Sequence, residues 1–387
     1  MSAEPQRICL VSGGTGGHLM PALVLARAMQ DAGCEPLLVT EGRDVERELL
    51  RRELPGLACR ELPRSRPAAW SLPLWLARAT WTARRLLRRE GIAGVVSTGG
   101  RASVPVALAA RSLRLPLFLL EQNAVTGRSN RWLQPLARRV YLGLPSAHAP
   151  HPRAVELGTP LRSGFGRIDR KQARHTLGLT TDAPVVLVTG GSQGARVLNE
   201  VVPPALARLG RDLQVVHLCG LRNEAAVRQL YAAADRVVAH VRPVAADMDR
   251  LFAAADLVIC RGGGTTVAEL MACGRAAVIV PYPHHKDRQQ WHNARVLERR
   301  AAAHIVEQRD FDAAALVELA GPLLQQPEQL RLMGERAAQL ARPDAAADIL
   351  ADMQRVLNGR DVVAGPQPEA IAEVDVDRPA ARRGGVA

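Results

Sequence analysis

The sequence is built twice on one plan, and this duplication restricts the fold more than any other feature. Residues 7–32 read as an apolar strand, a glycine-rich turn and a helix (ICLVS-GGTGGH-LMPALVLARAMQ), and residues 185–209 repeat that order (VVLVT-GGSQGA-RVLNEVVPPALARL). A strand that runs directly into a glycine turn and a helix is the opening unit of a nucleotide-binding parallel sheet. Each half of the chain is therefore predicted to form its own such sheet.

Apolar runs alternate with longer amphipathic stretches along most of the chain, which predicts βα units and an α/β fold. With 387 residues the chain is long enough for about two domains. Aromatic residues make up only 3%, so aliphatic side chains must fill the cores, as is typical of parallel strands that are buried on both faces. The predicted strands are 7–11, 36–40, 94–97, 117–120, 185–189, 214–218, 257–260 and 277–280.

The formal net charge of +13 favours acidic partners such as nucleic acid, an anionic membrane or a phosphorylated substrate. We expect no nucleic acid, because no basic stripe alternates with aromatics and no zinc-finger or helix-turn-helix pattern occurs. The six cysteines lack Cys-x-x-Cys spacing and are interpreted as reduced core residues of a cytosolic protein. We expect neither a signal peptide nor a transmembrane helix.

Four glycine-rich turns follow predicted strands, at residues 13–17, 99–100, 190–194 and 262–264. Such a turn at the start of a helix presents backbone N–H groups to an anion. None matches G-x-G-x-x-G or the P-loop pattern, which disfavours dehydrogenases and ATPases. A single glycine turn could be no more than a tight connection between a strand and a helix. Four such turns in two similar halves instead predict a ligand cleft between facing sheets.

Polar side chains follow two strands of the second half. In residues 260–269 (CRGGGTTVAE), Thr265 or Thr266 is predicted to cap a helix, with Glu269 in about its first turn. Glu269 could accept hydrogen bonds from ribose hydroxyls, or it could be an ordinary capping-box glutamate. The run 284–293 (HHKDRQQWHN) favours recognition of sugar hydroxyls over a merely solvated face.

The histidines of that run, His284, His285 and His292, lack a matching carboxylate or cysteine spacing, so no metal is predicted there. In the first half, His18 begins the first helix and could act as a base, contact phosphate or only bind water. Residues 121–123 (EQN) follow another strand, where Asn123 could contact a ligand or cap the turn.

These segments together resemble the MurG family, the peptidoglycan glycosyltransferases that add N-acetylglucosamine to undecaprenyl-diphosphate-muramoyl-pentapeptide. The matches fall in order from residue 7 to about residue 340. The chain departs from the family pattern at Arg101, Thr159, Val244–Ala245 and 264–266, which concern the fit of acceptor and uracil rather than the reaction class. The matching segments are GGTGGH at 13–18, EQN at 121–123, GGSQGARVLN at 190–199, CRGG…T.AE at 260–269 and HKDRQQWHNA at 285–294.

The resemblance implies a GT-B fold, in which two Rossmann-like domains with parallel sheets face a central cleft. The acceptor- and membrane-binding domain would span 1–161 and the UDP-sugar domain 162–342, joined near 158–166. A helix at 343–358 would pack back on the first domain, and 359–387 would form a disordered tail.

The resemblance also implies the roles of individual residues. His18 would be the base of an inverting displacement, with no metal or cofactor, and Arg162, Arg261 and the helix starts after Gly191 and Gly264 would stabilise departing UDP. Glu269 would bind ribose. The remaining substrate-binding residues would be Thr15, Gly16, Gly17 and Asn123 on the acceptor side, and Ser192, Gln193, Ala245, Thr265, Thr266, Gln289 and Gln290 on the donor side.

An enzyme with a lipid-linked acceptor must approach a membrane, and residues 64–89 fit that requirement. They contain three tryptophans, seven arginines and no acidic residue, which suits an anionic bilayer, although a core helix with a basic face has the same composition. We expect a peripheral protein on the cytoplasmic face of the plasma membrane. The alternatives are another UDP-sugar transferase or epimerase, a dehydrogenase with Glu41 as its ribose acid, and a non-catalytic scaffold.

Overall fold

The computed structural model describes residues 6–13, 16–62, 71–191 and 193–359. The first half builds one sheet from short aliphatic strands, each followed by a helix or loop. Its strands are β1 Arg7–Val11, β2 Glu35–Thr40, β3 Cys59–Glu61, β4 Gly94–Ser97, β5 Leu117–Glu121, β6 Arg139–Leu142 and β7 Ala154–Glu156. Its helices are α1 Gly16–Asp31, α2 Asp44–Glu53, α3 Leu72–Arg89, α4 Ser103–Ser112 and α5 Arg128–Leu133, with a 3-10 turn at Gln134–Leu136.

The second half builds another sheet on the same plan. Its strands are β8 Val185–Thr189, β9 Leu213–Leu218, β10 Val237–Arg242, β11 Leu257–Cys260, β12 Ala276–Ile279 and β13 Ala303–Ile305. Its helices are α6 Arg170–Leu177, α7 Arg196–Arg208, α8 Glu224–Tyr231, α9 Met248–Ala254, α10 Gly264–Cys273, α11 Gln289–Glu298, α12 Ala313–Gln325 and α13 Pro327–Ala338; a 3-10 turn lies at Gln308–Asp310 and the last helix is α14 Ala345–Leu357.

Both sheets have their strands in an order that reverses beside the first strand of the half. The orders are β3-β2-β1-β4-β5-β6-β7 and β10-β9-β8-β11-β12-β13, and the strand pairs are parallel. At such a reversal the connections leave in opposite directions, which opens a crevice at the carboxyl ends of the strands. The crevices lie after β1 and β4 in one sheet and after β8 and β11 in the other. The predicted α/β fold with two Rossmann-like sheets is confirmed.

The eight predicted strands are present, and their ends move by no more than one residue; β12, for example, begins and ends one residue earlier than predicted. The first half contains β3, β6 and β7 in addition, and the second contains β10 and β13. These five are short or carry charged and polar residues, such as Arg139 in β6 and His240 in β10, so they lack a continuous apolar run.

Aliphatic cores cover both faces of each sheet. The last helix, α14, does not stay with the second sheet: Ile349, Leu350 and Met353 are buried in the core of the first sheet, against α1. Residues 157–169, which cross between the halves, contain no helix or strand. The exact domain boundaries stay a prediction, and the predicted disordered tail falls, from residue 360 onward, outside the described part of the chain.

Four of the six cysteines are buried as predicted, whereas Cys59 and Cys273 are only partly covered. None of the described helices combines the length and the apolar character needed to cross a membrane.

Candidate active site between the two sheets

The turns after β1 and β4 contact each other and form a support for His18. A Cβ atom on Gly100, whose φ is +91°, would lie 2.3 Å from the carbonyl oxygen of Gly13. A Cβ atom on Gly99 would lie 3.2 Å from Cε1 of His18. Glycine is therefore required at both positions, because any side chain would push the turns apart or displace the imidazole ring. Gly14 and Thr15, the latter a predicted acceptor residue, lie outside the described residues.

The hydrogen bonds of His18 determine which ring nitrogen carries the proton in the neutral imidazole. Nδ1 lies 2.8 Å from the carbonyl oxygen of Thr98 and 3.2 Å from Oε1 of Gln122. A carbonyl oxygen can only accept, so Nδ1 must be the donor and Nε2 keeps its lone pair. The ring is half-buried, with Gly16 beside it partly covered and Gly17 exposed. In the neutral ring this is the tautomer that a general base needs, because Nε2 is left to accept a proton.

Glu121 organises the loop that carries Asn123. Its buried carboxylate accepts from the backbone N–H groups of Asn123 and Gly127 and from the side chains of Asn123 and Asn130, at 2.8–3.1 Å. The oxygen of Asn123 accepts a 3.1 Å hydrogen bond from Asn293 of the second half. Asn123 thus lies at the cleft, but its amide already serves the loop and the contact between halves, as the capping alternative anticipated.

The glycine turn after β8 depends on backbone conformations that favour glycine. Gly191 and Gly194 have φ values of +83° and +73°, and Gly194 packs so closely that a Cβ atom would lie 2.2 Å from the carbonyl oxygen of Cys219. The turn precedes α7 and borders a cavity of about 500 Å³, which Arg261, Tyr282 and Gln290 also line. Gln193 is part of this turn, whereas Ser192 lies outside the described residues.

The turn after β11 brings α10 against the first half. Thr265 donates a 3.3 Å hydrogen bond to the carbonyl oxygen of Gly17, and a Cβ atom on Gly264 would lie 2.3 Å from the carbonyl oxygen of Gln122. The predicted caps were wrong: Gly263 is the N-cap, and Thr265 and Thr266 lie inside the first turn of the helix. The helix start therefore contacts the His18 side of the cleft through glycine and Thr265.

Glu269 lies in the second turn of α10, later than the first-turn position predicted, so it is not a capping-box residue. Its pKa is raised to about 8, mainly because the surrounding protein removes water from the carboxyl group. The nearby cation of Arg162 opposes this rise, and the carboxylate of Asp249 adds to it. A carboxyl group that is destabilised in its ionised form is suited to gain from hydroxyl donors supplied by a ligand.

The two predicted arginines, Arg162 and Arg261, differ in how many hydrogen bonds their guanidinium groups already make within the protein. Arg162, in the segment between the halves, donates to the carbonyl oxygen of Ala246 at 2.7 Å and lies 3.6 Å from the carboxylate of Glu53 in α2. Arg261 donates to the carbonyl oxygens of Val280 and Pro281 and to Gln308. Burial lowers the pKa of Arg261, although its guanidinium stays a cation at the wall of the cavity. Ala245 is half-buried beside the Arg162 contact.

Helix α11 begins with both predicted sugar-binding amides and adds a residue that the sequence did not reveal. Gln289 donates across the cleft to the carbonyl oxygen of Val125 at 3.3 Å, and Gln290 accepts from the N–H of Tyr282 at 2.9 Å. The missed residue, Asn293, is fully buried and bonds Asn123, the N–H of Ala124 and the carbonyl oxygen of Gly262. Its position in the polar run 284–293 was the available signal, but its partners are distant in sequence.

The histidines of that run take part in ring contacts. His284 and His285 each pack 5.2 Å from the ring of Tyr282, and His292 lies 5.7 Å from His148. Within the described ranges, no group of three or more histidine, cysteine or acidic side chains could hold a metal ion.

Comparison with known families agrees with this architecture on both sides of the cleft. Residues 8–142 match the N-terminal domain of glycosyltransferase family 28, and residues 185–349 match the C-terminal domain of the same family. Two facing Rossmann-like sheets with glycine turns at their reversals, matched by these domains, define a glycosyltransferase of the GT-B fold.

Individual relatives narrow this class. The chain is 37% identical to the UDP-N-acetylglucosamine–N-acetylmuramyl-(pentapeptide) pyrophosphoryl-undecaprenol N-acetylglucosamine transferase of Stutzerimonas stutzeri over 91% of this chain and 99% of the relative, and 36% identical to that of Salmonella typhimurium over 92% and 99%. The crystal structure of Acinetobacter baumannii MurG superimposes with a TM-score of 0.77 at 31% identity, covering 91% of this chain and 100% of that one. The chain belongs to the MurG family.

The same fold also occurs in solved structures with much lower sequence identity to this chain. A UDP-N-acetylglucosamine 2-epimerase shares it with a TM-score of 0.66 but only 13% identity, covering 95% of this chain and 100% of the epimerase. The epimerase alternative is therefore not favoured.

Proposed function

We infer that this chain is a hexosyltransferase that moves N-acetylglucosamine from UDP-N-acetylglucosamine to undecaprenyl-diphosphate-N-acetylmuramoyl-pentapeptide, converting lipid I to lipid II in peptidoglycan synthesis. Its cellular role is therefore in cell-wall biogenesis, and through it in cell shape and division. The observation that carries this conclusion is an identity of 36–37% to such transferases along about nine-tenths of the chain. The two halves place polar side chains of both sheets at one shared cleft, as a two-substrate transfer requires.

We propose that the donor binds along the second sheet. The pyrophosphate would lie on the backbone of Gly191–Gly194 at the start of α7, where N–H groups and the helix dipole favour an anion. Ser192 would add a hydroxyl contact. The ribose hydroxyls would donate to Glu269, whose desolvated carboxyl gains most from such donors, while Ala245 would lie by the uracil.

The sugar of the donor would lie beside the start of α11. Gln290 has its oxygen occupied by Tyr282 and retains its amide hydrogens for hydroxyls. Gln289 would exchange its long 3.3 Å bond to Val125 for a sugar hydroxyl. Thr265 and Thr266 would border the sugar from α10.

We propose a direct inverting displacement in which Nε2 of His18 removes the proton of the attacking sugar hydroxyl. The second hydrogen of the Asn123 amide, the turn at Gly16–Gly17 and Thr15 would hold the acceptor. The bond between the anomeric carbon and the diphosphate breaks, and the negative charge on UDP is stabilised by the starts of α7 and α10 with Arg162 and Arg261. These groups would supply the stabilisation without a metal or other cofactor.

Helix α3 supports the proposal of an anionic membrane partner. Ala79, Ala83 and Leu87 are buried on one face, which packs on α4. The opposite face exposes 66% of Leu74 and 59% of Trp81, and the guanidinium of Arg85 lies 4.8 Å from the Trp81 ring centre. Aromatic, aliphatic and basic groups on one face are typical of interfacial helices.

The three tryptophans of the predicted membrane-binding segment 64–89 are not all exposed on this face. Trp75 is half-buried, and Trp70 lies outside the described residues. Trp132 in α5, which the sequence analysis missed, is 80% exposed, and α5 flanks α4 as α3 does. We propose that α3 and α5 face the bilayer and place the enzyme peripherally at the cytoplasmic face, with no nucleic-acid partner.

The test of the function is incorporation of labelled N-acetylglucosamine from its UDP donor. With the diphosphate lipid acceptor we expect labelled product and one UDP per transfer. With a soluble muramoyl-pentapeptide that lacks the lipid we expect much slower transfer. Formation of UDP-N-acetylmannosamine without an acceptor would instead identify an epimerase.

A further inference from the structure

A buried chain of polar groups lies behind the glycine turn at 190–194, and none of its members is among the residues proposed to contact a substrate. It consists of Tyr231 at the end of α8, His217 in β9 and Asn199 in the first turn of α7. His217 is 0% exposed, and Tyr231 and Asn199 are each 5% exposed. Nδ1 of His217 lies 3.0 Å from the Tyr231 hydroxyl, and Nε2 lies 3.0 Å from Oδ1 of Asn199.

The direction of each hydrogen bond in this chain follows from its last member. Asn199 donates through Nδ2 to the carbonyl oxygen of Cys219 at 2.9 Å, so its Oδ1 must face His217 as an acceptor. Nε2 of His217 therefore carries the proton, and Nδ1 accepts from the hydroxyl of Tyr231. Burial lowers the pKa of His217 to about 4, which keeps the ring neutral and compatible with this order.

The chain ends on the backbone that shapes the glycine turn. A Cβ atom on Gly194 would lie 2.2 Å from the Cys219 carbonyl oxygen, and one on Gly220 would lie 2.5 Å from that of Gln193. Asn223 donates a second 2.9 Å bond to the same Cys219 oxygen. The position of the Cys219 peptide therefore decides where the Gln193–Gly194 backbone can lie.

We propose that Asn199, His217 and Tyr231 are positioning residues for the nucleotide-diphosphate donor. None of them needs to touch it. They hold the Cys219–Gly220 peptide, and through it the Gln193–Gly194 backbone, in the orientation that would bind a pyrophosphate. Preorganised donors bind an anion without the cost of ordering a flexible loop on binding. This inference rests on the donor site proposed above.

The test compares variants that cut the chain at different points. Tyr231→Phe keeps the ring and its packing but leaves Nδ1 of His217 without a donor, and Asn199→Ala removes the contact to Cys219. We expect the dissociation constant of UDP, measured by calorimetry, and KM for the UDP-sugar to rise about tenfold in Asn199→Ala and less in Tyr231→Phe. KM for the lipid acceptor should stay unchanged.

A matched control lies on the same strand. Gln214, at the opposite end of β9, is 4% exposed and bonds the backbone of Thr180 and Ala183. Gln214→Leu should lower Tm but leave UDP affinity intact. The proposal would be overturned if this control lost as much UDP affinity as the chain variants. It would also be overturned if Tyr231→Phe and Asn199→Ala were both folded and bound UDP within twofold of the unaltered enzyme. If the unaltered enzyme itself fails to bind UDP, the donor site is wrong rather than the positioning chain.

Discussion

At the scale of single residues, the cleft depends on groups whose chemistry is set by their neighbours. The residues next to His18 in the sequence give no sign of its hydrogen-bond partners, yet in the fold the Thr98 carbonyl and Gln122 fix its tautomer. The sequence predicted His18 as a functional residue because a histidine follows the glycine turn. It could not predict the tautomer, because Thr98 and Gln122 are about 80 and 104 positions away.

Replacement of His18 by alanine should separate chemistry from donor binding. Turnover should fall by about 10²- to 10⁴-fold, the usual contribution of a general base, while the dissociation constant of UDP-N-acetylglucosamine stays within about twofold. Steady-state kinetics and calorimetry give the two numbers. His240→Ala, in the edge strand β10 of the other sheet, is the matched control and should change neither. If His18→Ala turns over as fast as the unaltered enzyme, His18 is not the base.

Glu269 should make donor binding depend on pH. Its pKa is about 8 in the free protein, and ribose hydroxyls that donate to the carboxylate should lower that value in the complex. Binding then releases a proton, so affinity should rise with pH, by up to about tenfold per unit below pH 8, and level off above it. Calorimetry with UDP-N-acetylglucosamine between pH 6 and pH 9 measures this. Glu269→Gln should bind more weakly and without the pH dependence, and a flat profile in the unaltered enzyme would contradict the role.

At the scale of elements, the sequence predicted strands well where aliphatic residues run continuously and poorly where they do not. β4 and β8 have the predicted bounds, whereas β3 (CRE) and β13 (AHI) depend on neighbours that supply their pairing. The start of α10 shows the same limit. Threonine is a good N-cap in general, but Gly263 takes that position here, and Gly264 after it lies closely against the Gln122 carbonyl.

The exposed face of α3 gives a prediction for membrane binding. Trp81→Ala combined with Leu74→Ser removes two large apolar side chains from that face without touching the buried face. Flotation with vesicles of anionic lipid should show several-fold weaker binding, with UDP affinity unchanged. Leu332→Ser, at a leucine of α13 in the second half that is 40% exposed, is the control. Equal flotation of the double variant and the unaltered enzyme would mean that α3 does not meet the bilayer.

At the scale of the whole molecule, the two halves are joined at the linker, at the cleft and by the last helix. Asp352 of α14 is buried and accepts from Tyr141 of β6 at 2.9 Å, with Arg139 3.3 Å away. At the cleft, Asn293, Gln289 and Thr265 all bond backbone or side chains of the first half. The residues proposed to bind the donor sugar and those that bond the first half across the cleft therefore share helices α10 and α11.

Asn293 should consequently control closure of the cleft. Asn293→Ala leaves the Ala124 N–H, the Asn123 oxygen and the Gly262 carbonyl without their partner, and each unsatisfied buried group costs about 1–3 kcal/mol. The closed arrangement should then open to admit water, which raises the radius of gyration in small-angle scattering and raises KM for both substrates. Tyr141→Phe, which cuts the α14 contact outside the cleft, should lower Tm and leave both KM values alone. If Asn293→Ala is folded and its KM values and radius match those of the unaltered enzyme, the contacts through Asn293 do not govern closure.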